Sequence, residues 1–434
     1  MATIEMPKIA IHGSFPWLNP TTLAHAMEYI PTFCTEFAVM LSQILAYKLA
    51  AHYLGKEGFS EYALARRTIS LLIPIPMLGL TVGLPRYIGY SNGRGDFEGA
   101  DRHFGATMWC VGGGALICIS LMNIFSGAFG YLFFGNRSYG SLALAFGLMI
   151  LGLCVHTVVC GYFRGHMRLN RANLMQLANL AVAPISVFVV FRHSLNSALT
   201  ALGLIWIVIS GVGLFFTPWD SIIGDNTKEV KELLPYGIQR VPGDFVLMAL
   251  FTLPSTFVAH LRGVQEAGFV AFGISVVAMI GAMFAPLGLV LLPKATLMFA
   301  EGAKSELRKH LWLLLKATLV ASFLMTLVIW IWIPSLVHLY LGVGYEQVVP
   351  IVRLVVLAAL PYSLYLVFRN LVDAYHEYGV TAAILTGALA LFLAASYLST
   401  YWRPTASGIL IAFYLAQVAI AALSGLECRR ILRG

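Results

Sequence analysis

The sequence predicts an all-α integral membrane protein with about twelve transmembrane helices, arranged as two parallel six-helix lobes around a central cavity. Three observations support this fold class. The 434 residues are 59% hydrophobic and only 11% charged, whereas soluble domains carry about 25% charged residues. The apolar residues form runs of roughly 20, the length of a membrane-spanning helix. The second half of the chain also repeats the plan of the first at an offset of 208 residues.

The repeat is clearest where residues 55–86 align with residues 263–294 without a gap. Few of the aligned residues are identical, so the evidence for the repeat is the shared hydropathy pattern rather than sequence identity. At this offset Gly55 aligns with Gly263, Arg86 with Lys294, and Glu36 with Asp244. Two like halves in an apolar chain are typical of transporters built by duplication, in which the site lies between the halves.

Twelve apolar segments are long enough to cross a membrane: 29–51, 61–89, 104–126, 141–163, 173–191, 197–217, 236–260, 268–293, 311–333, 350–371, 380–398 and 405–426. Six spans per half make the halves parallel, because each half then begins and ends on the same side. We therefore divide the chain into an N-terminal segment (1–28), an N-lobe (29–217), an inter-lobe linker (218–235), a C-lobe (236–426) and a basic tail (427–434).

The basic residues predict the orientation in the membrane. One side carries 18 of the 28 Lys and Arg residues, and the other carries 7. Because Lys and Arg are enriched in cytoplasmic loops, we expect both termini in the cytoplasm and the protein in the cytoplasmic (inner) membrane. The net charge of +8 follows from this bias. No basic domain is available to bind nucleic acid.

The sequence contains no motif that would carry catalysis, so we expect a protein that is not an enzyme. It has no His-Glu-x-x-His, no Gly-x-Ser-x-Gly and no Walker loop. Five of the six cysteines fall within spans and none forms a Cys-x-x-Cys pair. We therefore expect no disulfide framework, no metal site and no cofactor.

Ionisable side chains inside the spans are few, and each is a candidate for function because a charge at the bilayer centre costs about 2.5–3.5 kcal/mol. The candidates are Glu36, Lys48, Arg66, Arg67, Arg240, Asp244, Lys316 and Arg353. Lys316 and Arg353 lie near span ends, where long side chains can reach the headgroups.

The two carboxylates lie too deep to reach water. Glu36 is about 10 Å from the cytoplasmic end of its span, and Asp244 has the matching depth in the other half. Arg240 precedes Asp244 by four residues, so the two can pair on one helix face. We expect these carboxylates to neutralise cavity cations or to bind a proton or Na⁺ as a coupling ion.

Three cations form a predicted basic cluster near the outer side: Lys48 in the first span, and Arg66 and Arg67 in the second. Neighbouring residues point about 100° apart on a helix, so one of the two arginines is expected to face inward. With Arg240, this cluster would bind the phosphates of an anionic cargo. The alternative is that all three side chains reach the outer headgroups.

Several segments resemble the oligosaccharide-lipid flippases of the multidrug/oligosaccharidyl-lipid/polysaccharide exporter (MOP) superfamily. They are Leu54-Gly55 with residues 59–65 (FSEYALA), residues 78–86 (LGLTVGLPR), residues 161–172 (GYFRGHMRLNRA), Asp244 with residues 267–272 (AGFVAF), and Leu292-Pro-Lys294. The resemblance covers nearly the whole chain. It implies an inverted-V bundle and alternating access. The implied cargo is an undecaprenyl-diphosphate-linked oligosaccharide, moved to the outer leaflet for surface polysaccharide biosynthesis.

The resemblance also implies partners and roles. Partners would be the lipid-linked oligosaccharide, membrane lipids and a polysaccharide polymerase machinery. In the related lipid II flippases, basic residues of the first, second and eighth spans line the cavity. Lys48 and Arg66 or Arg67 correspond to the first two, whereas Arg262 matches the third poorly. In the multidrug branch an acid of the first span binds the coupling cation, a part that would fall to Glu36.

Other functions stay open from the sequence. A multidrug/cation antiporter of the same fold would be expected to have an acidic or apolar pocket, whereas this chain has deep Arg and Lys. A polymerase or acyltransferase would need a long outer loop. A structural scaffold gives no reason for buried charges. Because Lys48, Arg66 and Arg67 map onto Thr256, Ile274 and Ser275 in the repeat, we expect the cargo's phosphates to lie against the N-lobe.

Overall fold

A computed structural model of the chain describes residues 20–300, 302–376, 379–402 and 404–433, and the first 19 residues of the predicted N-terminal segment lie outside it. The described residues fold into helices joined by short turns, without a strand.

The N-terminal half comprises α1 (Pro20–Leu72), α2 (Pro74–Met77), α3 (Leu80–Gly93), α4 (Phe97–Ile124), α5 (Ser126–Phe134), α6 (Ala143–Gly165), α7 (Leu169–Gln176), α8 (Ala183–Val190) and α9 (Leu195–Leu214). A 3₁₀ segment precedes α6, and a π-helical segment joins α7 to α8: Arg137–Leu142 and Leu177–Val182.

Two short helices connect the halves: α10 (Asp220–Ile223) and α11 (Thr227–Ile238). The C-terminal half comprises α12 (Val241–Arg262), α13 (Val264–Ala282), α14 (Ala285–Ala300), α15 (Lys304–Tyr340), α16 (Val348–Val356), α17 (Ala359–Tyr375), α18 (Val380–Trp402) and α19 (Ala406–Ile431).

The described helices make the twelve expected crossings. Eleven helical stretches are long and apolar enough to span a membrane, and the first of them, Ile30–Met77, contains 48 residues. At 1.5 Å per residue it would be about 72 Å long, more than twice the hydrocarbon thickness. A break at Gly55 divides it into two crossings. The all-helical membrane fold expected from composition is therefore confirmed.

Gly55 and Gly263 break the chain in the same way. Gly55 has φ 68° and ψ −166°, and Gly263 has φ 89° and ψ 171°. This backbone region is essentially restricted to glycine, since a Cβ would clash there. The two halves thus share a backbone conformation at the point where each turns from its first span into its second.

Each lobe is held together by its own helix contacts. In the N-lobe, α6 packs on α4 and α9, and in the C-lobe α19 packs on α17 and α18. Small residues allow the closest approach: a Cβ on Gly203 of α9 would lie 2.8 Å from the backbone nitrogen of Met149 in α6. Such approach of backbones is how helices associate in lipid, where apolar side chains gain little by leaving the solvent.

The connecting helices α10 and α11 pack on the N-lobe. Arg102 Nε of α4 donates to Glu229 Oε1 of α11 at 2.8 Å, and Trp109 Nε1 donates to the Ile222 carbonyl at 2.6 Å. The predicted linker boundary at residue 235 falls inside α11, which continues to Ile238. We call this side of the bundle the linker face, and the side that holds Gly55 and Gly263 the distal face.

The lobes meet near the distal face through residues that are equivalent in the repeat. A Cβ on Gly268 would lie 2.2 Å from Ser60 Cα, and Arg67 bonds to Ser275. Both pairs are 208 positions apart, so each residue touches its own counterpart and the pairs lie on the pseudo-twofold axis. Toward the linker face, α14 packs mainly on α17 of its own lobe.

Candidate functional site

Arg66 lies close to the bilayer midplane within a group of tyrosines. It is eleven residues beyond Gly55, about 16 Å along the helix in a hydrocarbon layer of about 30 Å. Its guanidinium carbon is 5.3 Å from the ring centre of Tyr47 and 5.9 Å from that of Tyr62. Tyr340 of α15 also interacts electrostatically with the Arg66 guanidinium. Its hydroxyl donates to the Ile44 carbonyl.

Arg67 crosses from one lobe to the other. Its Nη2 donates to Ser275 Oγ of α13 at 2.6 Å, and the same oxygen lies 2.8 Å from the Tyr47 hydroxyl. Ser275 Oγ in turn donates to the Ala271 carbonyl at 2.9 Å. The Arg67 carbonyl accepts from Thr252 of α12 at 3.0 Å. Arg67 is therefore fixed to both spans of the C-lobe that face it.

Neither Arg66 nor Arg67 forms an ion pair with a carboxylate in the part of the chain that the structure describes. Their partners are hydroxyls and ring faces. The Arg67 Nε is buried without a hydrogen-bond partner among the described residues. The centre of the bundle thus holds two adjacent positive charges with no negative charge beside them.

Both arginines have partners inside the protein, and the expectation that only one of them faces the cargo stays a prediction. Each points into the protein, because the N-lobe helix has partners on two sides at this level. Arg66 faces the tyrosines of α1, and Arg67, about 100° around the helix, faces α13. Lys48, expected in the same cluster, is exposed on the face of α1 that also carries Leu41 and Leu45.

Glu36 lies in a polar network of the N-lobe. Gln176 Nε2 donates to Glu36 Oε1 at 2.8 Å, and Arg164 Nη2 donates to Gln176 Oε1 at 2.7 Å. The same Arg164 nitrogen is 3.7 Å from Glu36 Oε1. About half of the Glu36 side chain is exposed, 55%, so other helices of the bundle do not enclose this carboxylate as its depth along the span suggested.

Next to this network is a buried polar cluster on the π-helical segment. Asn179 Nδ2 lies 3.0 Å from both His156 Nδ1 and Ser210 Oγ. Trp206 Nε1 donates to the Asn179 carbonyl at 2.5 Å. π-Helical turns free backbone groups and are frequent at functional sites. Among the described residues no group of three or more His, Cys, Asp and Glu could hold a metal ion.

Asp244 occupies the matching position in the C-lobe and has a different environment. The positive charges of Arg369 and, less strongly, Arg240 attract the Asp244 carboxylate. Arg369 Nε donates to Asp373 Oδ2 at 3.2 Å, and Thr381 Oγ1 donates to Asp373 Oδ1 at 2.6 Å. The C-lobe carboxylate is therefore part of a charged cluster formed by α12, α17 and α18.

Arg240 lies at the start of α12 rather than in the central group. Its Nη1 donates to the Tyr236 hydroxyl at 3.4 Å, and its guanidinium carbon is 5.9 Å from the Tyr236 ring centre. Arg86 of α3 approaches the same ring at 5.2 Å. Arg240 and Arg86 thus form a basic pair on the linker face, and the structure does not bring Arg240 together with Arg66 and Arg67.

The sequence missed two arginines that matter. Arg164 and Arg369 were counted as loop charges, yet each lies on the fourth span of its half and acts on the carboxylate of the first span. Their spacing is 205 residues, about one helical turn short of the repeat. Arg353, expected to reach the headgroups, donates its Nε to the Trp330 carbonyl at 3.3 Å, and Lys316 is exposed on α15.

Comparison with known proteins identifies a family for part of the chain. Residues 31–187 match the MatE family model, and no curated protein matches the chain. Among solved structures, the chain is similar to an inward-facing multidrug resistance MATE family transporter of the MOP superfamily, with 14% identity over 91% of this chain and 94% of that chain and a TM-score of 0.78.

Two further structures bear on the conformation and the pocket. An outward-facing multidrug resistance MATE transporter gives 15% identity over 94% of this chain and 95% of that one, with a TM-score of 0.63. A MOP superfamily transporter from Pyrococcus furiosus, described by the reversed polarity of its binding pocket, gives 15% identity, coverages of 94% and 95%, and a TM-score of 0.64.

The first part of the chain matches the MatE family, and the chain as a whole has the fold of MATE transporters.

Proposed function

We propose that this transporter moves an anionic, lipid-linked cargo, a polyprenyl-diphosphate-linked oligosaccharide, from the inner to the outer leaflet for surface polysaccharide biosynthesis. The observation that carries the proposal is the adjacent pair Arg66 and Arg67 at the meeting point of the lobes, without a carboxylate partner among the described residues.

Electrostatics favours an anion at this position. Two like charges in a medium of low dielectric constant repel each other and are poorly solvated. A diphosphate offers two negative groups, and guanidinium groups bind phosphates through paired, charge-assisted hydrogen bonds. The hydroxyl of Tyr62 lies beside the Arg66 charge and adds a polar group there. A cationic drug would meet repulsion here.

The arrangement of the lobes suits alternating access. The axis contacts at Ser60–Gly268 and Arg67–Ser275 hold the lobes together near the distal face. The linker face carries the excess of basic residues, so in our proposal it is the cytoplasmic side and the membrane is the inner membrane. In this conformation cargo would enter from the cytoplasmic leaflet, and separation of the axis contacts would release it on the other side.

The two carboxylates would provide coupling. Glu36 is held by Gln176 and Arg164, and the positive charge of Arg369, which pairs with Asp373, also attracts Asp244. A proton or Na⁺ that binds a carboxylate would weaken its ion pair with the arginine. Because both arginines lie on the fourth span of their lobe, this exchange would shift that span relative to the first. A polymerase that consumes the exported units would be the expected partner.

The test is translocation of a labelled lipid-linked oligosaccharide in proteoliposomes. The double variant Arg66→Gln/Arg67→Gln should lose at least tenfold in rate, because the phosphates lose both guanidinium groups. The matched control is Arg192→Gln/Arg262→Gln, which removes the same charge from exposed positions at the distal face. An unchanged rate in the first variant, with normal amounts of protein in the membrane, would exclude this site for the cargo.

A multidrug/cation antiporter is the second candidate, favoured by the likeness to multidrug MATE structures and by the accessible Glu36. The same proteoliposomes distinguish the two. Transport of a lipophilic cation that depends on Glu36 and persists in Arg66→Gln/Arg67→Gln would support the antiporter. No cation transport, with oligosaccharide translocation that requires both arginines, supports the flippase.

A further inference from the structure

A groove lined by basic residues lies on the linker face of the C-lobe, far along the chain from the central arginines. It is formed by the first turns of α15 and the end of α19, and it encloses about 780 Å³. The residues of this basic groove that carry the inference are Lys304, Arg308, Lys309, Trp312, Lys316 and Leu432.

The spacing of these residues produces a continuous stripe. Lys304, Arg308, Trp312 and Lys316 recur every four residues, so they follow one face of α15. The stripe continues toward the distal face as exposed apolar side chains, Leu319, Phe323 and Leu327. One face of a single helix thus changes from cationic to apolar, as a lipid changes from headgroup to tail.

The length of α15 places the basic part of the stripe at the headgroups. The helix contains 37 residues, about 55 Å at 1.5 Å per residue, against a hydrocarbon thickness of about 30 Å. Its first turns must therefore extend beyond the hydrocarbon on the linker face. Trp312 is 55% exposed there, and tryptophan is the residue typical of the membrane–water boundary.

The charges of the groove lack acidic partners within the described part of the chain. None of Lys304, Arg308, Lys309 and Lys316 takes part in an ion pair there. Like charges at a spacing of four repel each other on a helix, so the stripe costs free energy unless an anion binds. The end of α19 adds Arg429, Arg430 and Arg433 around a neighbouring depression of about 530 Å³.

We propose that the basic groove binds the headgroup of an anionic phospholipid from the linker-face leaflet. The phosphate is held by Arg308, while Lys304 and Lys316 attract the negative headgroup from either side along the helix, and the acyl chains lie along Leu319 and Phe323. Basic pockets between transmembrane helices are a recurring way to bind such headgroups. The lipid fastens the start of α15 to the end of α19, both in the C-lobe, and is distinct from the transported cargo.

The test is native mass spectrometry of the purified full chain, titrated with cardiolipin, phosphatidylglycerol, phosphatidylethanolamine or polyprenyl diphosphate. We expect retention of an anionic phospholipid and at least tenfold weaker binding by Lys304→Gln/Arg308→Gln/Lys316→Gln. The matched control Arg94→Gln/Lys228→Gln/Lys231→Gln removes three charges from the N-lobe side of the same face and should bind as the wild type does. The zwitterionic lipid should bind weakly to all three proteins.

Three results would overturn the proposal: equal binding by the triple variant and the wild type, preference for polyprenyl diphosphate over phospholipid, or full competition by inorganic pyrophosphate, which would indicate a site for soluble anions. If the triple variant fails to fold, the single exposed change Lys316→Gln decides, since unchanged binding contradicts the proposal and weaker binding supports it. The charge-conserving variant Lys304→Arg/Lys316→Arg should keep the lipid.

Discussion

The second span of the N-lobe and the second span of the C-lobe touch at equivalent positions but carry different side chains there. Ser60 packs on Gly268, and Arg67 bonds to Ser275. On an axis only one member of a pair can be large or charged, because two copies would occupy the same space. The shared backbone allows the lobes to move against each other, while the difference in side chains puts the charge on one lobe alone.

The first-span carboxylates show the same division. Glu36 and its partner Arg164 are 55% and 42% exposed, whereas Asp244 of the C-lobe is half-buried and Arg369, which pairs with Asp373, is 28% exposed. The N-lobe carboxylate is therefore less enclosed by other helices, and the C-lobe cluster contributes more to holding helices together. Four changes test these differences between the lobes.

The axis contact is the most sensitive point. Gly268→Val should lower the free energy of unfolding by about 3 kcal/mol, the upper end for overpacking, because even a Cβ would lie 2.2 Å from Ser60 Cα. Denaturant unfolding in detergent measures the effect. Gly112→Val is the control, since a Cβ there meets no atom within 4 Å. Equal stabilities for the two variants would contradict close packing at the axis.

The two arginines of the fourth spans should differ in their effect on stability. Arg369→Gln should cost about 2 kcal/mol, less than the roughly 3–5 of a fully buried pair, because it removes the ion-pair partner of Asp373 and a positive charge that attracts Asp244. Arg164→Gln should cost less than about 1 kcal/mol, as expected for an exposed pair. The same unfolding assay applies, and the reverse order would refute the division of roles between the lobes.

Exchanging Arg67 and Ser275 tests whether translocation requires only the positive charge or also its position on the N-lobe. Arg67→Ser should reduce oligosaccharide translocation about tenfold, equivalent to about 1.4 kcal/mol. In Arg67→Ser/Ser275→Arg the guanidinium returns from the other lobe, so activity should recover in part. The single variant Ser275→Arg, which places two arginines in contact, is the control and should be impaired. No recovery in the exchanged protein would mean that the cargo depends on the N-lobe itself.

The two helix breaks should respond alike. Gly55→Ala and Gly263→Ala should each cost about 1 kcal/mol, because the Cβ strains a backbone conformation reserved for glycine, although it meets no atom within 4 Å at either site. Gly211→Ala, within α9 and equally uncrowded, should be neutral or slightly stabilising. A large cost at only one of the two breaks would show that the repeat is not equivalent there.

The fold could be predicted from the sequence because hydropathy and glycine act locally. Spans of apolar residues and the Gly55–Gly263 alignment needed no knowledge of neighbours, and the structure contains both. The depth of a charge along a helix follows from counting residues. Thus Glu36 and Arg66 were identified as candidates within spans before any contact was known, although Glu36 is half exposed.

The partners could not be predicted, because the direction in which a side chain points depends on which helices surround it. Arg164 and Arg369 lie near span ends, where an arginine that reaches the headgroups and one that pairs with a neighbouring span have the same sequence pattern. Arg67 faces Ser275 because α1 packs on α13, and the sequence does not show that packing. Lys48 was expected beside Arg66 and Arg67 because its depth in the membrane is similar. It lies instead on an exposed face of α1.

The docking of α10 and α11 on the N-lobe has a consequence for how the chain is made. The contacts Arg102–Glu229 and Trp109–Ile222 are complete once residue 238 has been synthesised. Domains generally fold in order from the N-terminus during translation. The first half, with α10 and α11 docked on it, can therefore complete its packing while the ribosome is still adding α12. The turn between α11 and α12 is then the natural place to divide the gene for fragment complementation, with α11 retained on the first fragment.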